Sequence, residues 1–167
     1  EEFLNFKKEI ENQFKIKIDT YYFDLVDEIQ IKNFYDKINS NYEKIDILVN
    51  NAGTIQNSLF QMTPLKKLNE TFKINFFNQI YLSQLIVKKM QKNKKGSIIN
   101  VSSTSAIEGN IGRLSYASSK SSLITASKVM SRELGQFGIR VNSICPGLTN
   151  TDMMINNTDK KILNEIT

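Results

Sequence analysis

The sequence predicts an α/β fold: a single three-layer domain in which a parallel sheet carries helices on both faces. Short β-rich or apolar runs alternate with longer segments of helical apolar spacing. Helices of this length between strands imply right-handed crossovers, and right-handed crossovers join parallel strands. Each run also ends in small or polar residues, which places four such clusters at the carboxyl edge of the sheet, where open α/β folds bind ligands.

Phe3, Phe6, Ile10 and Phe14 follow helical spacing with no capping residue ahead of them, so the chain opens within a helix. Ile16 to Phe23 is rich in β-branched and aromatic residues and reads as a strand ending at Asp24-Leu25. Ile29 to Tyr42 returns to helical spacing, and Ile45 to Val49 is a short apolar strand ending at Asn50-Asn51-Ala52-Gly53. Pro64 introduces a long helix from Leu65 to Lys92, and Ser97 to Val101 is the next strand, ending at Ser102-Ser103. A second long helix covers Arg113 to Gln136, followed by the strand Ile139 to Ile144, which Pro146-Gly147 stops. Asp159 to Ile166 has the pattern of a short helix, and no further strand follows it. Without an internal repeat, low-complexity tract or linker, residues 1–167 read as one domain, with the look of the middle of a larger one.

Composition removes several function classes. The 167 residues are 40% hydrophobic and 23% charged, enough for a real core in a soluble chain. The net charge of +5 comes from lysines scattered over helices and loops, with arginine nearly absent and no aromatics along a basic stripe, so nucleic acid is not the expected partner. Cys145 is the lone cysteine and there is no histidine, which leaves no metal cluster of the usual kind and fits a reducing cytoplasm. No apolar run approaches the roughly eighteen residues that span a bilayer.

Tyr116 and Lys120 are four apart in a helical segment and project from one face. A tyrosine titrates near about 10 in isolation, and a neighbouring ammonium favours its phenolate, so the pair has the makings of a general acid/base. The spacing alone is weak, because 6 tyrosines and this many lysines yield about 0.7 such pairs by chance. Ser103 follows a buried-looking strand and can donate a hydrogen bond to a carbonyl oxygen, but local spacing does not separate it from Ser102, Thr104 and Ser105. Asn75 lies among Phe72, Ile74, Phe76 and Phe77 inside a helix, either as a satisfied core amide or as part of a site. Asn51, Ala52 and Gly53 let a flat ligand approach the backbone. Leu148, Thr149 and Thr151, after Pro146-Gly147, are free to grip a planar amide.

Order and spacing together, from about Ile16 to Met154, resemble the classical short-chain dehydrogenase/reductase family, whose fold is Rossmann-like. Ile47-Leu48-Val49-Asn50-Asn51-Ala52-Gly53 and Arg140-Val141-Asn142-Ser143-Ile144-Cys145-Pro146-Gly147 look most like the 3-oxoacyl-acyl-carrier-protein reductases of that family. The resemblance implies a catalytic tetrad of Asn75, Ser103, Tyr116 and Lys120, the thirteen-residue separation from Tyr116 selecting Ser103 among its neighbours. Tyr116 would protonate a carbonyl oxygen while a nicotinamide hydride attacks carbon, Ser103 would orient that carbonyl, Lys120 would hold the ribose, and Asn75 would hold a relay water. It also places Asp24 and Leu25 at the adenine, Asn51, Ala52 and Gly53 along the adenosine side, and Thr149 and Thr151 at the carboxamide. NADP(H) is the implied cofactor ahead of NAD(H), and the substrate is a small or acyl-carrier-bound carbonyl compound. Sugar, polyol or steroid dehydrogenation is the alternative activity within the family, and a non-catalytic family member or truncated product kept as an interaction module is the alternative to an enzyme. A homodimer or homotetramer would form through the 65–92 and 113–136 helices. The family's glycine-rich turn has no counterpart here, so the first two strands and the last are expected to be missing from the sheet.

Overall fold

The computed structural model describes residues 2–157. Three strands, β1 (Ile47–Asn50), β2 (Gly96–Val101) and β3 (Ile139–Ile144), pair in parallel in the order β1-β2-β3. The register sets Leu48 beside Ile98 and Ile98 beside Val141, so one apolar row crosses the sheet. Two positions further on, Asn50, Asn100 and Ser143 form a polar row on the same side.

Helix α1 (Glu2–Phe14) comes first, then α2 (Glu28–Asn41), which starts at Asp27 because its carboxylate accepts from the Ile29 N–H at 2.8 Å and the Gln30 N–H at 3.2 Å. The long helix expected from Leu65 to Lys92 is continuous but not regular. It runs as α3 (Leu65–Phe72), loosens through a π-helical turn (Lys73–Phe77), and resumes as α4 (Asn78–Lys92). A short α5 (Ser105–Glu108) precedes α6 (Leu114–Leu134), and α7 (Asp152–Asn157) follows β3. Asp159 to Ile166 lies outside the described residues.

Ile31 and Ile38 of α2, Leu82, Leu85, Ile86 and Met90 of α4, and Ile98, Ile139 and Val141 of the sheet make one core. The α6 helix joins the same side, because Asn100 of β2 donates to Ser127 of α6 while Asn50 of β1 donates to Ser83 of α4. Among the described residues, α2, α4 and α6 thus pack on one face of the sheet. On the other, Ile47, Val49 and Ile144 remain 62%, 52% and 48% exposed. The cause is topological: successive right-handed crossovers that advance in one direction across a sheet all land on the same side.

The expected strand at Ile16 to Phe23 does not form a ladder. β-Propensity reports a side-chain pattern that packs well on a surface, and a strand needs a partner backbone besides. Here the segment packs instead: Phe23 stacks on Phe34 of α2 at 4.6 Å between ring centroids, with Tyr21 edge-on to the same ring. Side chains supply part of its backbone bonding, Glu11 accepting from the Ile18 N–H and Gln30 from the Asp24 N–H.

Candidate active site

The carboxyl ends of β1 and β2 converge on Asn75. The π turn carries this residue inward, where it is fully buried, and such turns recur where a helix must re-aim a functional group. Its Oδ1 accepts from the Thr54 N–H at 2.8 Å, and its Nδ2 donates to the Thr54 carbonyl at 2.9 Å and to Ser119 Oγ at 3.0 Å. Of the two sequence readings, these bonds are those of the satisfied core amide.

Lys120 of α6 is only 3% exposed, and its ammonium donates to the Val101 carbonyl at 2.8 Å. No carboxylate pairs with it among the described residues. Burial pushes its pKa down to about 8, since desolvation penalises the charged form. Gly53 makes this placement possible: a Cβ there would lie 3.2 Å from Lys120 Nζ and 3.6 Å from Asn75 Oδ1. The structure thus brings Gly53, Asn75 and Lys120 around one point.

Tyr116 is half-buried one turn before Lys120 on α6. Its carbonyl accepts from Ser119 Oγ at 2.8 Å, so Thr54, Asn75, Ser119 and the Tyr116 backbone form one hydrogen-bonded chain. The clustered serines, which local spacing leaves equivalent, have different surroundings. Ser102 Oγ is spent on the Lys120 carbonyl at 2.8 Å, whereas Ser103 Oγ only accepts, from the Ser105 N–H at 3.2 Å. The Ser103 proton therefore has no acceptor among the described residues.

The other expected binding residues lie along the same edge. Asn51 and Ala52 are exposed, and Gln79 of α4 holds the Ala52 carbonyl at 2.6 Å. Asp24 is exposed, its carboxylate accepting from the Val26 N–H at 2.8 Å, while the Leu25 carbonyl is held by the Asn78 amide. Thr149 and Thr151 are exposed, and the Thr151 hydroxyl already accepts from the Met154 N–H at 3.3 Å at the start of α7.

Sequence reasoning missed Asn78, Gln79, Ser83, Asn100 and Ser127, which support this edge. Asn50 donates to Asn100 Oδ1 and Ser83 Oγ, each at 2.8 Å, and Asn100 donates to Ser127 Oγ at 2.8 Å, a buried polar chain from α4 across the sheet to α6. Gln79 and Asn78 clamp the π turn to the ends of two segments. In the sequence Arg113 looks like a helix boundary and no more. The available signal for Asn78 and Gln79 is the same as for Asn75, a polar residue within an otherwise apolar helical stretch.

An ammonium with one hydrogen-bond partner among the described residues has donors that fit the hydroxyls of a ribose. These features belong to an α/β protein that gathers Gly53, Asn75, Lys120 and the Tyr116 backbone at the carboxyl edge of its sheet. The family model described as short chain dehydrogenase matches residues 1–162. The 3-oxoacyl-[acyl-carrier-protein] reductase FabG of Thermotoga maritima is 36% identical over 137 residues, 82% of this chain and 56% of that protein. Its counterpart in Aquifex aeolicus is 34% identical over 146 residues, 87% of this chain and 59% of that protein.

Among solved structures, a short-chain dehydrogenase from Streptomyces avermitilis superposes with a TM-score of 0.80 at 25% identity, covering 87% of this chain and 54% of that one. NAD+-bound xylitol dehydrogenase superposes with a TM-score of 0.83 at 23% identity, covering 89% and 57%, and shows the shared fold. The chain belongs to the short-chain dehydrogenase family. It spans a little over half the length of these relatives.

Proposed function

We propose that this chain carries the proton-transfer site of an NAD(P)-dependent carbonyl reductase, and that its reaction is reduction of a 3-oxoacyl thioester borne on acyl carrier protein. The observation that carries the reading is the buried, carboxylate-free Lys120 ammonium one turn from Tyr116. The FabG relatives support the substrate class, and NADP(H) ahead of NAD(H) is the cofactor this reading assigns.

The nicotinamide, when bound, supplies the hydride. Ser103 donates its uncommitted proton to the carbonyl oxygen and polarises the bond. Tyr116 delivers its phenol proton to that oxygen as carbon gains hydride, so the product is the neutral alcohol. Lys120 stabilises the negative charge left on the Tyr116 oxygen and offers its remaining N–H groups to the ribose. Both amide hydrogens of Asn75 are committed, so a relay water there must draw on its second Oδ1 lone pair or on carbonyls freed by the π turn. Asp24, Leu25, Asn51, Ala52 and Gly53 line the adenosine side, and Thr149 and Thr151 the carboxamide.

In this reading residues 1–167 are one part of a single cytoplasmic domain. Two copies pair through the 65–92 and 113–136 helices, where Phe77 and Val129 are 54% and 50% exposed beside a groove lined by Phe76, Ser122 and Thr125.

The test compares reduction of acetoacetyl thioester with oxidation of xylitol by the full-length protein, each with NADP(H) and NAD(H). Reduction of the thioester with NADPH in preference to the other combinations is the expected result. Preferential polyol oxidation with NAD+ would replace the substrate reading while leaving the family intact.

A further inference from the structure

Arg113 stands three residues before Tyr116, at the position that opens α6, so its side chain lies at the same end of the helix as the proton donor. One guanidinium nitrogen, Nη2, donates to the Asn157 carbonyl at the end of α7 at 2.6 Å, and Asn57 donates to that same carbonyl at 3.1 Å. The other nitrogen, Nη1, is buried and has no hydrogen-bond partner among the described residues. No carboxylate there neutralises the charge either. The backbone around it is fixed, Ser58 bridging to Arg113 while its N–H donates to the Gly112 carbonyl at 3.0 Å.

A buried donor left unsatisfied costs more than the bond it would make is worth, and more still when it is charged. The side chain is held by its α7 contact with one donor edge uncommitted, and burial pushes the guanidinium pKa down, an effect that the neighbouring Tyr116 only partly offsets. Structure alone explains Nη2 and leaves Nη1 without a purpose.

We propose that Arg113 determines substrate specificity by donating, through Nη1, to a second oxygen of the substrate, two carbons from the carbonyl held by Ser103 and Tyr116. The ligand class is a 3-oxo compound whose C1 carries a thioester carbonyl or a carboxylate; a simple ketone has nothing to offer Arg113. The inference rests on the reductase reading and names the feature of the substrate that this site would select.

The experiment measures steady-state kinetics of the full-length wild type, Arg113→Met and Arg113→Lys with acetoacetyl-coenzyme A, acetoacetate and 2-pentanone. Arg113→Met is expected to raise KM for both 3-oxo compounds by about 10- to 100-fold, the worth of a charge-assisted hydrogen bond, and to change kcat/KM for 2-pentanone by less than about threefold. Arg113→Lys should retain part of the discrimination, most for acetoacetate if the acceptor is a carboxylate and most for the coenzyme A ester if it is a thioester carbonyl. Equal losses on all three compounds would mean that Arg113 only anchors α7, and unchanged kinetics would remove it from recognition. Both outcomes overturn the proposal.

A calorimetric arm separates this proposal from the reductase reading. Wild type should bind 3-hydroxybutyrate in preference to 2-pentanol, and Arg113→Met should lose that preference. If no carbonyl compound is reduced but the preference is present and lost on mutation, the reductase reading fails and the Arg113 site stands. If wild type shows no preference, or Arg113→Met keeps it, the Arg113 site fails whatever the enzyme reduces.

Discussion

Asn75 and the Thr54 backbone grip each other reciprocally: the Asn75 amide accepts from the Thr54 N–H at 2.8 Å and donates to the Thr54 carbonyl at 2.9 Å. The geometry imitates one rung of a sheet, formed by a side chain within a π turn. It ties the loop after Gly53 to the helix facing α6. Replacing Asn75 with Ala strands both Thr54 groups and removes the donor to Ser119 Oγ, which keeps its own bond to the Tyr116 carbonyl. Each buried polar group left unpaired costs about 1–3 kcal/mol, so Asn75→Ala should lose about 2–4 kcal/mol in urea unfolding, with the loop after Gly53 losing hydrogen-exchange protection first.

Lys120 makes the opposite prediction, because its burial without a carboxylate opposes folding. With a folded pKa of about 8 against 10.5 for the free side chain, the unfolded chain binds more protons between those values. Stability therefore rises with pH across that window, and below about pH 8 the folded state bears the full burden of the charge. Lys120→Met should be more stable than wild type at pH 7 by at most about 3 kcal/mol, less what the abandoned Val101 carbonyl costs, and so unfold at a higher temperature. The gap should close as pH approaches 10.5. Thermal unfolding of the two proteins across this range measures it, and a gap independent of pH would contradict the assignment.

Gly53→Ala inserts a methyl group 3.2 Å from Lys120 Nζ. The obstructed atom is the tip of a flexible side chain, so the fold should survive with a stability change of about 1 kcal/mol or less. The ammonium should be displaced instead. Turnover is expected to fall about tenfold or more, since a small misplacement of a catalytic group is costly, while the far-UV circular dichroism stays unchanged. Full activity in this variant would show that Lys120 has room to spare.

The Asn50, Asn100 and Ser127 chain joins α4 to α6 through the sheet. Asn100→Ala leaves Asn50 Nδ2 and Ser127 Oγ each one partner short in a region where Asn100 itself is fully buried. A loss of about 2–3 kcal/mol in urea unfolding is expected. Asn50→Ala and Asn100→Ala should combine less than additively, because both break the same bond.

Strand order and helix order could be read from hydrophobic periodicity because the apolar positions that make it, such as Leu48, Ile98 and Val141, are the ones that pair. Ile16 to Phe23 has the same local character, and among the described residues no neighbouring backbone pairs with it. Pairing is a property of two segments and leaves no mark in one. The π turn was likewise invisible, because helical spacing on either side of Lys73–Phe77 gives no sign of one extra residue in a turn. Asn75 was legible because an amide among phenylalanines demands an explanation. Arg113 was not, because a basic residue at a helix boundary demands none until its burial is known.

The most direct test of the account is Tyr116→Phe in the full-length protein, assayed for oxidation of NADPH on addition of acetoacetyl thioester and, separately, for NADPH binding by calorimetry. Loss of the phenol proton should reduce turnover by at least about 10²- to 10⁴-fold and leave the dissociation constant of NADPH within a few-fold of wild type. Turnover undiminished in Tyr116→Phe would show that the proton comes from elsewhere and would contradict the mechanism.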